Sequence, residues 1–359
     1  MYKSWILKLD YVLILLMVVL VVYGLIIIYS ANNKDMGAGS EFIRQIRYFV
    51  IGLVFLILFA SIDYQFWVRM EPYLYLLNLL ILGAVLVAGK EALGAQRWIS
   101  IGGFTFQPSE FAKILMILCL AIRLSDEDAL QTEKLVGTLI YLGIPMALIM
   151  KQPDLGTALV LIAILFAMLF VRGLNPAWIL ASVAAGMGIS PFVLKEYQKT
   201  RLLVFLNPDV DPTGSGWNIR QSMIGIGSGK LWGKGLLFGT QTQLQFVPEH
   251  SRDFIFTVLG EELGFMGGAS LIALYFFLLL KILKIAQEAR DFFGTLIATG
   301  VGAMLFFHVF INIGMTMGIM PVTGIPLPFL SYGGSAIITN MMAIGLLLSI
   351  SLRKEQFFK

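Results

Sequence analysis

The chain has 359 residues, of which 58% are hydrophobic and 13% are charged, and its mean hydropathy is +0.84. A soluble domain carries about 25% charged residues, so this composition excludes a soluble protein and predicts a polytopic membrane protein. One cysteine and two histidines are too few for a zinc site of the usual nitrogen and sulfur ligands. The net charge of +4 comes without a basic stripe interleaved with aromatic residues, which argues against nucleic-acid binding.

Apolar segments of bilayer length predict an all-α membrane protein with about ten transmembrane helices. The first apolar run, from Tyr11 to Tyr29, is too long for the core of a signal peptide and is interpreted as a retained span. We treat residues 1–359 as a single integral membrane domain. The predicted spans are 10–30, 44–62, 72–89, 107–124, 134–151, 155–172, 176–194, 254–281, 292–317 and 332–352.

The distribution of basic residues predicts the orientation of these spans. Lysines and arginines are about twice as frequent in the short loops on the side of both termini as in those on the other side, which places both termini in the cytoplasm. The polar interval 195–253, between spans seven and eight, is then a long extracytoplasmic loop. Its turn signals and glycines fit a structured loop on the membrane surface better than a separate domain.

Glu110 and Lys113 are ionisable residues at the start of span four, where lipid should exclude them. Their i, i+3 spacing lets the two side chains pair on one face of the helix. The pair is either a structural ion pair that begins the helix or part of a functional site.

Arg97, Lys151 and Asp154 lie near span ends on the same predicted outer side. Arg97, which precedes Trp98, is either a membrane anchor or a ligand for an anionic headgroup, since a guanidinium binds phosphate through a fixed fork of donors. Asp154 begins span six, where a helix cap is the simpler explanation. It could serve both purposes if its second oxygen faced a cavity.

Asp253 ends the long polar interval, and the apolar run of span eight begins immediately after it. This acid is either an ordinary interface residue or part of an active site, and Glu249 precedes it in the same polar segment. Segment 318–328 contains three prolines and two glycines, so it cannot form a regular helix. Ser331 and Ser335 then lead into span ten, where free backbone N–H groups are a natural place for phosphate.

Glu261 and Glu262 lie about two turns into span eight and point about 100° apart, so they cannot both face one partner. One could line a cavity while the other meets a neighbouring helix or a bound protein. His308 in span nine is expected to be buried and hydrogen-bonded, and no role is assigned to it.

Span counting places the candidate residues on one side of the membrane. Separate interface anchors should be scattered over both sides, whereas these residues all fall at outer ends. We therefore expect one site that is open to the outer leaflet and to the outer aqueous phase. The residues are Arg97, Glu110, Lys113, Lys151, Asp154, Asp253 and the segment 331–335.

Four motifs resemble those of a known family, and they occur in the family's order over most of the chain. They lie at residues 107–113, 152–157, 248–256 and 312–336. The pattern resembles the SEDS proteins, the shape, elongation, division and sporulation family. The short cytoplasmic ends are most similar to the elongation branch of that family.

The resemblance implies a peptidoglycan glycosyltransferase of the bacterial cytoplasmic membrane that acts in cell elongation and rod-shape maintenance. Its substrate is then lipid II, the undecaprenyl-pyrophosphate-linked disaccharide pentapeptide. The resemblance also implies that Asp253 is essential for activity and that Glu110 and Lys113 line the same cavity. The implied partner is a class B penicillin-binding protein, which supplies transpeptidation.

Converting an α-linked donor into a β-linked product requires inversion, in which the 4-OH of GlcNAc attacks C1 of MurNAc and releases undecaprenyl pyrophosphate. We expect Asp253 to act as the general base. We expect Arg97, Lys113 or Lys151, with N–H groups near Ser331 and Ser335, to neutralise the leaving pyrophosphate. A divalent cation, Mg²⁺ or Mn²⁺, at the pyrophosphate is left open because the sequence shows no dedicated metal cluster.

Two alternatives from other classes stay open. A flippase for lipid-linked precursors would also need many spans and an intramembrane ion pair, but its polar groups should be accessible from both leaflets in turn. A non-catalytic scaffold for a penicillin-binding protein would leave Asp253 as an interface acid.

Overall fold

The computed structural model describes residues 9–32, 36–37, 39–92, 95–101 and 104–354. They form a helical bundle with a small antiparallel sheet. The helices are α1 (Tyr11–Ala31), α2 (Glu41–Ser61), α3 (Phe66–Ala88), α4 (Pro108–Leu124), α5 (Thr132–Lys151), α6 (Leu155–Arg172), α7 (Pro176–Val193), α8 (Glu196–Leu206), α9 (Ser215–Ser228), α10 (Thr240–Gln243), α11 (Ile255–Gln287), α12 (Phe292–Thr316) and α13 (Gly334–Leu352). The strands are β1 (Lys90–Ala92), β2 (Ala95–Ile101) and β3 (Phe104–Phe106).

Eight helices in the described part of the chain are long and apolar enough to cross a bilayer. The two other predicted spans coincide with α4, which has 17 residues, and α7, which has 18 residues. The predominantly helical, polytopic character predicted from the sequence is confirmed, and the figure of ten spans stays a prediction. The long interval predicted between spans seven and eight contains the short helices α8, α9 and α10.

Short polar side chains begin several of the long helices. The carboxylate of Asp10 accepts a hydrogen bond from Leu13 N (3.2 Å) at the start of α1, and Asp291 accepts one from Gly294 N (2.7 Å) before α12. These caps satisfy N–H groups that have no partner within the helix. Because the capping residues also interrupt the apolar runs, the hydropathy pattern located these helix ends closely.

The sheet between α3 and α4 was not predicted from the sequence. Strand β2 pairs with both β1 and β3, and in the second pairing Ile99 lies opposite Phe106. The strands are short and lie between two apolar spans, so hydropathy over a bilayer-length window does not detect them. Their consequence for the site is that β2 carries Arg97 back towards the loop between α5 and α6.

Helix α13 lies at the centre of the bundle, since most of its residues are buried. It packs along α2 and also contacts α4 and α12. Helix α7 is at the opposite extreme, with exposed apolar side chains such as Trp178, Leu180 and Met187. Exposed apolar surface is expected on a helix that faces lipid.

Helix α11 is interrupted at Gly264, which has φ 64° and ψ −159°. The carbonyl oxygens of Glu261 and Glu262 accept hydrogen bonds from Lys234 N and Gly235 N, both at 3.0 Å. Beyond the break, Phe265 N donates to Lys230 O (2.8 Å). The segment 230–235 of the long interval therefore replaces the hydrogen bonds that the broken helix has lost, which is required of irregular backbone at membrane depth.

The side chains of Glu261 and Glu262 hold this same interval. Glu261 is fully buried and pairs with Lys234 Nζ (2.7 Å), and it also accepts a hydrogen bond from Gln241 N (2.9 Å). Glu262 accepts from Ser30 Oγ of α1 (2.6 Å). The expectation that one glutamate meets a neighbouring helix is met by Glu262, whereas Glu261 binds the loop and lines no cavity that we identify in the described residues.

Replacing Gly264 with alanine should destabilise the protein. The added Cβ would lie 2.3 Å from Gly233 N and 2.8 Å from Leu231 O, both backbone atoms, and an alanine is strained at this positive φ. We expect the thermal unfolding midpoint in detergent to fall by roughly 5–10 °C. Gly227→Ala is the matched control, because its Cβ meets no atom within 4 Å. An unchanged midpoint for Gly264→Ala would show that segment 230–235 can move away.

Candidate active site

The residues predicted for the site lie at one end of the bundle, called here the Asp253 end. Contacts between distant segments define it: Gln107 N donates to Ser335 Oγ (2.9 Å), and Tyr332 N donates to Ser251 O (2.9 Å). The other end holds the ion pair between Lys281 and Asp10 (2.7 Å). The structure thus gathers the starts of α4, α6, α11 and α13 around one place.

Asp253 lies in the turn that leads into α11, and its backbone is fixed from two sides. Asn312 Nδ2 donates to Asp253 O (2.9 Å) and also to Ile325 O (2.8 Å), so one amide joins the turn to the irregular segment after α12. Gly324 has φ 72°, and a Cβ there would lie 3.2 Å from Asp253 Oδ2. The absence of a side chain at residue 324 therefore leaves room beside the carboxylate.

The carboxylate of Asp253 has no hydrogen-bond or ion-pair partner among the residues that the structure describes. Burial raises its pKa to about 6, and the nearby carboxylate of Glu249 acts in the same direction. The pKa of Asp253 is lowered in part by three nearby guanidinium groups, those of Arg252, Arg201 and Arg97. Asp253 is therefore an unengaged carboxyl group that changes its protonation state close to neutral pH, a property that suits a general base.

Glu110 and Lys113 form the predicted pair, with Lys113 Nζ 2.8 Å from Glu110 Oε1. Both are buried, and the ammonium also lies 2.9 Å from His308 Nε2. An ammonium can only donate, so His308 Nε2 accepts and His308 Nδ1 donates to Met304 O (2.7 Å). The expectation of a buried, hydrogen-bonded His308 is correct, but the contact of His308 with Lys113 was not predicted from the sequence.

Asp154 caps α6 and joins it to α4. Its Oδ1 accepts from Thr157 N (3.2 Å), and its Oδ2 accepts from Thr157 Oγ1 and Ser109 Oγ, each at 2.9 Å. Gln107 Nε2 is a further donor to Oδ2 at 3.3 Å. The second oxygen, which could have faced a cavity, is therefore occupied by protein donors, and the geometry favours the helix-cap alternative.

Arg97 and Lys151 differ in how far the structure engages them. Arg97 Nε donates to Gln152 O (3.0 Å), and its Nη2 donates to Pro153 O, so the guanidinium holds the turn between α5 and α6. It is partly buried and close enough to Asp253 to act on the pKa of that carboxyl. Lys151 is exposed.

Ser331 and Ser335 connect segments of the Asp253 end through their hydroxyls. Ser331 Oγ donates to Arg252 O (2.6 Å) and accepts from Leu327 N (2.8 Å). Ser335 Oγ accepts from Gln107 N. Both serines thus position the backbone around the site, and the start of α13 lies among the site residues.

Glu249 is exposed and has φ 53°, a strained conformation for a glutamate. Its carboxylate pairs with Arg252 Nη1 at 3.1 Å. Three residues of the site geometry were not predicted from the sequence: Arg252, Asn312 and Gly324. Asn312 and Gly324 lay within a motif already noted, but their contacts with Asp253 depend on the fold.

The described residues contain no group of three or more histidine, cysteine, aspartate or glutamate side chains placed to hold a metal ion.

The chain matches a protein-family model described as a cell cycle protein, FtsW/RodA/SpoVE, over residues 10–356. The peptidoglycan glycosyltransferase MrdB of Escherichia coli K12 is 40% identical over 356 residues, which cover 98% of this chain and 95% of MrdB. A chain from a structure of a peptidoglycan synthase complex, studied for how it coordinates polymerization and crosslinking, has a TM-score of 0.82 and 30% identity, covering 97% of this chain and 99% of its own. The structure of the rod shape determining protein RodA of Thermus thermophilus has a TM-score of 0.75 and 30% identity. The match covers 97% of this chain and 98% of the RodA chain.

The fold and these comparisons define an integral membrane protein of the bacterial peptidoglycan glycosyltransferase class. The chain belongs to the FtsW/RodA/SpoVE family, which is the SEDS family indicated by its four motifs. The predicted family and enzyme class are thereby confirmed, as is a bacterial membrane location, whereas the orientation of the termini and of the site stays a prediction.

Proposed function

We propose that the protein polymerises lipid II by inverting transfer during cell elongation and rod-shape maintenance. The 4-OH of an acceptor GlcNAc attacks C1 of a donor MurNAc, and undecaprenyl pyrophosphate leaves. The observation that carries the proposal is the unengaged carboxylate of Asp253, with a pKa of about 6, at the start of a membrane helix.

Asp253 is the proposed general base. A base must approach the hydroxyl that it deprotonates, and the carboxylate of Asp253 has no competing donor within the described residues. Asn312 and Gly324 are the proposed positioning residues, because the first fixes the Asp253 backbone and the second leaves space beside the carboxylate. Inversion in one displacement needs no covalent intermediate, so a single carboxylate suffices.

The leaving pyrophosphate needs positive charge and N–H donors. We assign this role to Arg97, which lies within electrostatic reach of Asp253, and to the start of α13 near Ser335. We propose that the buried pair of Lys113 and Glu110 forms the deeper wall of the substrate site. The exposed Lys151 is proposed to bind substrate at the rim of that site. Glu249 and Ser331 complete the proposed substrate-binding set, with Asp154 acting indirectly by holding α4 against α6.

We propose that both termini face the cytoplasm and that the Asp253 end faces outward, where lipid-linked sugars are polymerised. The excess of basic residues near the termini supports this orientation. The proposed partner is a class B penicillin-binding protein. A related chain belongs to a peptidoglycan synthase complex that couples polymerization to crosslinking, which supports such a partner.

The decisive experiment is to supply the purified full-length protein, alone and with its transpeptidase partner, with lipid II in detergent. Formation of glycan strands supports the proposal. Movement of lipid II across vesicle membranes without glycan synthesis would instead identify a flippase. If the protein made no glycan itself but stimulated peptidoglycan synthesis by its partner, it would be identified as a scaffold.

The proposed base predicts the pH dependence of polymerisation. A base must be deprotonated, so kcat/KM should fall by about tenfold per unit below a midpoint near pH 6. Replacing Glu249 with glutamine removes a carboxylate that raises the pKa of Asp253, so the midpoint should move to lower pH. Glu196→Gln is the control, because this exposed glutamate in the same interval pairs with Lys199 and should leave the midpoint in place. If Glu249→Gln left the midpoint unchanged, the fall in kcat/KM at low pH could not be assigned to Asp253.

A further inference from the structure

A cavity of about 480 Å³ opens beside the turn that carries Asp253. Its wall is formed by the end of α1, the start of α2 and the polar segment before Asp253, and none of the predicted site residues except Glu249 lines it. The lining residues include Asn32, Glu41, Gln245, Glu249, His250 and Arg252. This volume is within the range of about 300–1,000 Å³ that ligand pockets occupy.

The charged side chains of the cavity carry an excess of carboxylate. Arg252 lies between Glu249, at 3.1 Å, and Glu41, at 3.9 Å, and its guanidinium also lies 5.5 Å from the Tyr332 ring centroid. One guanidinium neutralises one carboxylate, so the second carboxylate remains available to a cationic ligand. The same excess disfavours a pyrophosphate, because like charges repel.

The cavity also offers a donor that the protein leaves unused. The side-chain amide nitrogen of Asn32, Nδ2, is buried and has no hydrogen-bond partner among the described residues. A buried donor without a partner is unfavourable, and a ligand carbonyl would supply the missing acceptor. The cavity therefore presents acceptors for a cation and a donor for a carbonyl.

The backbone of the cavity wall is strained and held in place. Glu249 and Gln245 both have positive φ, 53° and 58°. The ring nitrogens of His250 lie 3.0 Å from Val247 O and 3.1 Å from Ala31 O, and the single N–H of a neutral imidazole donates to one of these two carbonyls. Strain of this kind persists only where surrounding contacts fix it, and it is concentrated at binding sites.

We propose that this cavity binds the peptide arm of the lipid-linked saccharide substrate, with a primary ammonium group of the peptide between Glu41 and Glu249. A peptide carries both the ammonium that the excess carboxylate attracts and the carbonyl oxygens that Asn32 and Arg252 can bind. A sugar hydroxyl is neutral and makes no use of the excess charge. The proposal rests on the proposed function, since it assigns one part of that substrate to a place next to Asp253.

The test compares lipid II bearing a free peptide amine with lipid II in which that amine is acetylated. For the full-length wild-type protein we expect kcat/KM to be about three- to fivefold higher with the free amine, the size expected for partly exposed charge pairs. In the double variant Glu41→Gln/Glu249→Gln, this ratio should fall to about one. Glu196→Gln, an exposed glutamate of the same interval outside the cavity, should keep the wild-type ratio.

A binding measurement separates this proposal from the proposed function. The probe is a soluble muramyl peptide without lipid or pyrophosphate, titrated into the full-length protein and followed by chemical shifts of the peptide. Saturable binding that the double variant loses supports the cavity even if the protein makes no glycan, in which case only the proposed function fails. Glycan synthesis with a wild-type ratio of one, or a ratio that the double variant retains, would overturn the cavity assignment and leave the enzyme in place.

Discussion

Replacing Asp253 with asparagine should reduce polymerisation of lipid II by at least about a hundredfold, because the amide cannot accept the proton of the acceptor hydroxyl. The fold should survive. The contacts that fix this turn go to the backbone carbonyl of Asp253, and its carboxylate has no hydrogen-bond partner among the described residues. The measurement is the initial rate of glycan formation by purified protein, with the thermal unfolding midpoint measured in parallel.

The stability of Asp253→Asn has a predictable sign. The folded protein raises the pKa of Asp253 from 3.8 to about 6, so the folded state favours the protonated acid. The stabilising effect of that protonated form is complete below pH 3.8 and is lost as the pH rises through about 6. Above that pH a neutral amide avoids the cost of a confined charge, and the unfolding midpoint of the variant should equal or exceed that of the wild type. Normal glycan synthesis by this folded variant would exclude Asp253 as the base.

Replacing Lys113 with methionine should be the most destabilising change at the Asp253 end. It leaves Glu110 buried without its cation and removes the donor to His308, and breaking a buried ion pair in this way costs about 3–5 kcal/mol. We expect a marked loss of folded protein in detergent, measured by size-exclusion chromatography and thermal unfolding.

Two compensating variants separate the structural role of this pair from its role in substrate binding. Glu110→Gln/Lys113→Met removes both charges and should restore much of the stability, since replacing a whole buried pair is nearly neutral. If Lys113 also contacts the substrate, this double variant stays inactive although it is folded. The charge exchange Glu110→Lys/Lys113→Glu provides the second comparison, because it keeps the pair and alters the group that faces His308. Full activity in either folded variant would reduce Lys113 to a structural residue.

The sequence predicts which candidate residues lie at one end of the bundle, but it does not decide the role of each residue. Span counting brought Asp253, Glu110 and Ser335 to one end of the bundle, and the contacts between α4 and α13 agree with it. For Asp154 the sequence favoured a helix cap and also kept a role as a substrate ligand, and in the structure its oxygens are occupied by Thr157, Ser109 and Gln107. A capping acid and a substrate-binding acid have the same sequence signature, since both precede an apolar helix.

The role of Arg97 was also left undecided by the sequence. Its position next to Trp98 suggested either an anchor or a phosphate ligand, and the structure shows the guanidinium on carbonyl groups of the turn between α5 and α6. Those carbonyls are more than fifty residues away in the chain. The short sheet that positions Arg97 was not predicted either, because its strands are much shorter than the bilayer-length apolar segments that locate the spans.

The sequence by itself determined that this is a polytopic membrane protein, where most of its helices lie, and to which family its motifs belong. These properties depend on composition and on local order, because a lipid-facing helix must be apolar along its whole length. Only the tertiary structure decided that Asp253 is unengaged beside Glu249, that His308 holds Lys113, and that segment 230–235 completes the break at Gly264. The physical reason is that a hydrogen bond or an ion pair requires two groups within about 3–4 Å, and in this fold the partners come from segments far apart in the chain.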